Sequence, residues 1–485
     1  MRSAVVALLA SGALAASGRS ARADEPVAAS EPRLMSETAE VTSVVDAFDG
    51  DDPFDLNLTL GFQQTWKHSN IHRETPLNQP GLSSGGYVAG TENVASYSRS
   101  TSTLLTGADI GIYHDLAVIF RLPIILSDSQ SLGDLDGSSN NPQLLQDSTG
   151  HQLFSVPFKS PNRSGIDWFS VGMDWAIYNQ QRHPSKPTWV IGAEGRFSVG
   201  TPLHACNANA SVQCPDPAHP TQNRDPGISR GMDSFGAHTV FSRRFGYVEP
   251  YWGLWFLADF PQSGTDYGAT DTFQGSVVNH PPYVGWFSLG MEVIPWEHKE
   301  QFQRLVGDFR LTGTYHSAGR EYSELFDALG SSQAPSLRTP NPGGFAACGN
   351  GGPSCGGAAN GSSVADPTQQ QVFFTGITDQ QAYASVGGKI GATLQAGEYV
   401  KFNVGFGLQY DQSHLITAAD ACNPNFTSDA GAAGSCHTAA SPGQSSVVTG
   451  IPNPNQRPII DLPGHRFSSD DTTIIDLWIN GVVMF

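Results

Sequence analysis

The sequence predicts an all-β fold: a single antiparallel up-and-down barrel of about twelve strands crossing a membrane, with short turns at one end and long loops at the other. Three observations predict it: segments that alternate apolar and polar side chains, connections that are short and long by turns, and the composition. The 485 residues include 53 glycines and 32 prolines, and only 15% are charged. No apolar run beyond the first two dozen residues reaches the roughly 18 needed for a spanning helix. With 26 Lys and Arg against 45 Asp and Glu, the formal net charge is −19. Such a chain repels phosphate backbones, so nucleic acid is not an expected partner.

The N-terminus reads as a secretory signal over residues 1–23: Arg2, an apolar stretch from Ala4 to Ala16, and the cleavage pattern Ala21-Arg22-Ala23. Residues 24–52 are acidic, polar and aperiodic, and are expected to form a flexible periplasmic segment. Six cysteines fall as three local pairs, Cys206 with Cys214, Cys348 with Cys355 and Cys422 with Cys436. In an exported chain these are read as disulfides; zinc sites favour tighter Cys spacings with His or further Cys nearby.

From residue 53 onward the chain is read as barrel. Phe54, Leu56, Leu58, Leu60 and Phe62 alternate with Asp55, Asn57, Thr59, Gly61 and Gln63, which gives a strand one apolar and one polar face. Similar segments follow at about 101–114, 116–126, 165–178, 188–200, 234–245, 247–258, 283–294, 303–315, 382–395, 399–411 and 472–485. The clearest sets Val400, Phe402, Val404, Phe406, Leu408 and Tyr410 against Lys401, Asn403, Gly405, Gly407, Gln409 and Asp411. Segments 234–245 and 247–258 alternate weakly, with aromatic residues on both faces.

The joins decide between a soluble sandwich and a membrane barrel. Short connections near 113–115, 179–187, 243–246, 295–302 and 396–398 alternate with long ones near 67–100, 127–164, 201–233, 259–282, 316–381 and 412–471. Every long loop therefore leaves from one end of the sheet, and all three cysteine pairs lie in long loops. Aromatic residues near strand ends, among them Trp66, Tyr113, Trp189, Tyr247, Trp286, Trp296, Tyr315 and Tyr410, suit girdles at the membrane–water boundary.

In the last segment Ile475, Leu477, Ile479, Gly481, Val483 and Phe485 form one series that stops on an aromatic residue. With the signal peptide, this resembles the bacterial outer-membrane β-barrel proteins, porin-like channels included. The resemblance implies a Gram-negative outer-membrane location and lipid as surroundings. It also implies that Gly481, Val483 and above all Phe485 form the signal read by the barrel-assembly machinery, although an aromatic residue is commoner where Val483 stands.

Function then lies with the inward face and the loops. The polar face places Asp109, Arg121, Asp174, Glu194, Arg196, Glu292, Asp308, Arg310, Lys389, Lys401 and Asp476 in the lumen. An Arg or Lys facing hydrocarbon costs roughly 2–4 kcal/mol at midplane, which is why these charges are assigned inward. They either line a water-filled pore and sort small solutes, or pair across the lumen and close it. A plugged barrel would leave the outer loops as the working part of a structural or adhesive protein. His68, Ser69 and Asn70, facing Ser98 and Ser100, loosely resemble the site of outer-membrane phospholipases. Adjacent residues of a strand point to opposite faces, however, so no catalytic residue is assigned. Scattered histidines and acidic stretches such as Asp128, Asp134 and Asp136 lack the spacing of a metal site, and no cofactor is expected. Glu321 to Leu329 reads as a short helix with Tyr322, Leu325, Phe326 and Leu329 on one face, either constricting the barrel mouth or packing on another loop. The expected function is a passive channel for small solutes; a homo-oligomer is left open.

Overall fold

The computed structural model describes residues 39–47, 55–75, 90–137, 142–267, 275–343, 345–347, 363–365, 371–423, 436 and 451–485. The expected signal peptide and the pair Cys348 and Cys355 lie outside the described residues. Among those described, twelve long strands form one sheet: β1 Leu56–Thr75, β2 Gly90–Tyr113, β3 Leu116–Gly133, β4 Trp168–Tyr178, β5 Thr188–Ser198, β6 Met232–Ser242, β7 Val248–Pro261, β8 Val284–His298, β9 Gln303–His316, β10 Tyr383–Gln395, β11 Val400–Asp411 and β12 Phe467–Met484. Each pairs antiparallel with its chain neighbour, and β12 pairs with β1. The barrel closes where Leu56 and Phe485 exchange backbone hydrogen bonds of 3.2 and 2.9 Å. Closure leaves no open edge, which a sheet in lipid cannot tolerate.

The alternation that predicts the strands also sets their faces. Leu58, Leu60, Phe62 and Trp66 point outward from β1, as do Phe402, Val404, Phe406, Leu408 and Tyr410 from β11. Val483 and Phe485 are exposed on the same outer face. At the short-turn end Tyr113, Tyr247, Trp296 and Tyr399 are exposed, and Trp189, Phe241 and Trp252 stack in a row with centroids 5.2 and 4.6 Å apart. Trp286 departs from the expected girdle. It faces inward, parallel to Trp255 at 6.0 Å. Those two rings belong to β8 and β7, so lumen aromatics explain the weak alternation of the 247–258 segment.

The wall is uneven. Strands β1, β2, β3 and β12 have 20, 24, 18 and 18 residues, whereas β4, β5 and β6 have 11 each. The taller strands take up residues read from sequence as loop. Their outer ends carry inward Ile71, Tyr97, Leu132 and Phe467, and loop residues Leu153, Phe154, Phe158, Leu325, Leu329, Leu337, Phe374, Ile416 and Ile460 pack onto them as one buried cluster. The helix expected near 321–329 is short, α1 Phe326–Gly330, and it packs into this crown. Disulfides Cys206–Cys214 and Cys422–Cys436 form as expected.

The segment after the signal corrects one expectation. Read as a flexible tail, its residues 39–47 are instead held inside the short-turn mouth. Ala47 bridges to His114 beside β2, and Ala39 reaches the far wall, where its N–H donates to Glu249 at 2.9 Å. Gly111 makes room, since a Cβ there would meet the Asp46 carbonyl oxygen at 1.8 Å. The sequence carries no local sign of this, because the partners are wall carboxylates some 200 residues away.

Candidate functional site: the charged lumen

Two layers of charge lie above this segment. In the lower one, Glu292 stands opposite Glu249 on one side and Asp308 on the other. Three neighbouring carboxyl groups are mutually unfavourable unless they find donors. The N-terminal segment supplies them: beside the Ala39 bond to Glu249, the Glu40 N–H donates to Glu292 at 2.8 Å. Ser242 donates to Glu249 at 2.7 Å, and the Thr42 hydroxyl bonds Ser242 at 2.7 Å. The Glu40 carboxylate in turn forms an ion pair with Lys401 at 3.0 Å.

In the upper layer Arg310 and Lys389 stand directly opposite each other on β9 and β10. Arg310 uses two of its nitrogens within the wall: Nε donates to the Tyr251 hydroxyl at 2.8 Å and Nη2 to Asp308 at 3.1 Å, and the Tyr251 hydroxyl donates to Asp308. Lys389 makes no ion pair within 4.0 Å among the described residues, and its Nζ lies 5.8 Å from the centroid of Trp478. That indole donates to Asn403 at 2.7 Å and occupies the space beside Gly405, where a Cβ would meet the ring at 2.0 Å.

The other expected lumen residues also face inward, and most are paired. Asp109 binds Arg121, and Glu194 accepts from Arg196 at 2.9 Å while Arg196 lies over Trp168. Asp174 sits 3.4 Å from His238, and Asp476 accepts from Gln63 and Thr65 at 3.1 and 2.6 Å. Glu194 and Arg196 stand apart from the central cavity; Asp109, Arg121, Asp174, Glu292, Asp308, Arg310, Lys389 and Lys401 all line it. That cavity measures about 500 Å³. Sequence analysis missed Glu40, Glu249, Tyr251 and Trp478. Trp478 carries the one legible signal, standing two residues from Asp476 on the inward face. Asp128, listed with the acidic stretches, is committed to Arg99 and Thr101. His68 is exposed and Ser69 buried, on opposite faces of β1.

A lipid-facing apolar shell, an aromatic girdle and a polar lumen now stand on one closed sheet. The architecture is that of an outer-membrane barrel. No protein-family model and no curated protein matches the sequence. Among solved structures the chain is similar to an outer-membrane channel from Pseudomonas putida F1, at 8% identity and TM-score 0.34 over 88% of this chain and 95% of that one. It is similar to the toluene transporter TodX of Pseudomonas putida, at 8% identity and TM-score 0.29 over 93% and 92%. It is also similar to the outer-membrane protease OmpT of Escherichia coli, at 7% identity and TM-score 0.26 over 89% and 96%. Likeness at this level transfers no solute, substrate or chemistry to this chain.

Proposed function

We propose that the protein is a passive channel for small solutes in a Gram-negative outer membrane, with the short-turn mouth gated by residues 39–47. The carrying observation is the cavity of about 500 Å³ between that segment and the barrel wall, with charges of both signs on its lining. A lumen meant only to be filled would bury apolar side chains there, as the crown does. Conduction requires the segment to leave, and the contacts it must break are chiefly polar: N–H bonds to Glu249, Glu292 and the His114 carbonyl, a hydroxyl contact, and the ion pairs of Glu40 with Lys401 and Asp46 with Arg182.

Single-channel recording in planar bilayers tests this with the refolded chain. Wild type should open rarely, and Gly111→Val, which denies the segment its seat, should raise open probability about tenfold or more. Asp308→Ala and Arg310→Ala should shift ion selectivity in opposite directions. Silence from all four proteins, once each is shown to be inserted, overturns the channel. The packed crown with its disulfides would then favour the second reading, a closed barrel that presents its outer loops as a structural or adhesive surface.

A further inference from the structure

We propose that the lumen cavity is a binding site for a small organic monocarboxylate, its carboxylate held between Lys389 and Arg310. This rests on the lumen being open to solutes, as the channel reading holds.

Accounting for each charge on the cavity wall leads to it. Asp109 is taken by Arg121, Glu40 by Lys401, and Asp308 by Arg310 and Tyr251. Glu249, a neighbour just below, and Glu292 accept backbone N–H groups, and Asp174 has His238. Lys389 is left, directly opposite the like-charged Arg310. Like charges across a strand pair are unfavourable, and an anion bridging them removes the conflict. Asp476, across Gly407 from Lys389, attracts the amine but makes no ion pair with it within 4.0 Å, and its carboxylate accepts from Gln63 and Thr65.

The remainder of the cavity argues for an organic body behind the charge. Val41, Val44 and Val45 line it from the segment, and Leu105, Ala117 and Ile119 from β2 and β3. A bare halide would leave that surface unused, and about 500 Å³ falls in the usual range of roughly 300–1,000 Å³ for small-molecule sites. The face of Trp478 beside Lys389 suits a planar group.

Benzoate serves as the probe, with benzamide as its uncharged match. Equilibrium dialysis against folded, detergent-solubilised full chain should show saturable benzoate binding, with benzamide at least about tenfold weaker. Lys389→Gln should weaken benzoate about tenfold or more, while Lys389→Arg restores it to within about threefold. Heat-resistant migration on gels checks that each variant is folded. Equal binding of benzamide, or binding unchanged in Lys389→Gln, overturns the proposal. So does displacement of benzoate by equimolar chloride, which would show a site for any anion. Wild type that conducts ions yet takes up no saturable benzoate to about 10 mM overturns the site while the channel stands. Saturable, Lys389-dependent binding, with wild type and the three channel variants all silent in bilayers, supports a site reached by solute in a barrel that does not conduct, and sinks the channel.

Discussion

The two ends of this barrel are held by different physics. At the outer end, loops pack on tall strands β1, β2, β3 and β12 through an apolar cluster, reinforced by two disulfides and by Arg163 paired with Asp327 at 2.7 Å. At the short-turn end, nine residues, the plug, span the mouth on backbone hydrogen bonds and two ion pairs, Asp46 with Arg182 at 3.4 Å and Glu40 with Lys401, the Glu40 carboxylate being 44% exposed. Apolar burial of the first kind is contiguous and cooperative, whereas the plug's hydrogen bonds, largely buried while it is seated, are exchanged for bonds to water when it leaves, at a net cost of only about 0.5–1.5 kcal/mol each. The crown is therefore the fixed end of the barrel and the short-turn segment the removable one.

The sharpest way to break that contrast is to weaken the strong end. Arg163 and Asp327 are both almost wholly buried, and Asp327 also accepts the Cys206 N–H at 2.9 Å. Asp327→Ala leaves Arg163 buried without its counter-charge, which costs about 3–5 kcal/mol. Limited trypsin digestion from the outer side should cut the 316–343 region of the variant and spare wild type, with the barrel strands resistant in both. Resistance equal to wild type would show that the pair does not hold the crown.

Next in size is the disulfide Cys206–Cys214, which closes a loop with a sequence separation of 8. A bond over so short a loop contributes about 2–3 kcal/mol by restricting the unfolded chain. Reduction should speed tryptic cleavage of the crown and leave the plug-dependent open probability unchanged. A reductant that opened the channel instead would join crown and plug into one device.

What the sequence shows and what it hides divides along the same line. Strands β4 to β11 fall within about four residues of their expected bounds, because an apolar surrounding on one side and a polar lumen on the other impose period two along most of them. Strands β1, β2 and β12 run further than expected because alternation fades above the membrane. Ser96 to Ser102 and Ser468 to Thr473 are polar on both faces and read as loop. Inward charges such as Asp308, Arg310 and Lys401 are legible for the same reason as the strands. The plug is not, since Ala39 and Glu40 dock through backbone N–H groups that any residue possesses. Glu249 is hidden too, for its strand carries Tyr251, Trp252, Leu254 and Trp255 on both faces.

Crown and plug should also part in their response to pH. Burial pushes the Asp461 carboxyl up to about 7, with the charge of Asp379 adding to it, and burial raises Asp379 to about 6. A carboxyl raised in the folded state keeps its proton where the unfolded chain has lost it. Its stabilising contribution is thus full below about pH 4 and declines as pH rises through about 7, at most about 1.4 kcal/mol per pH unit for each group. Tryptic protection of the crown should therefore be weaker at pH 8 than at pH 5.5, and Asp461→Asn should flatten the difference. A crown equally protected at both values would place these carboxyls in a more polar setting than their burial implies.

The smallest change is aimed at the weaker end. Glu40→Gln removes the ion pair to Lys401 while keeping the Glu40 N–H bond to Glu292. Lys401 is buried but the Glu40 carboxylate is 44% exposed, so the pair is worth about 1 kcal/mol and the plug's equilibrium should move about fivefold toward the open form. Open probability should rise by that factor at low salt, and the gap from wild type should narrow as salt screens the pair. Crown proteolysis should not change. If Glu40→Gln opens the channel as widely as Gly111→Val, the ion pair holds the segment and the backbone bonds do not. If it changes nothing while Gly111→Val opens, the backbone bonds to Glu249 and Glu292 carry the plug. The three neighbouring carboxyl groups on β7, β8 and β9 would then be its docking site.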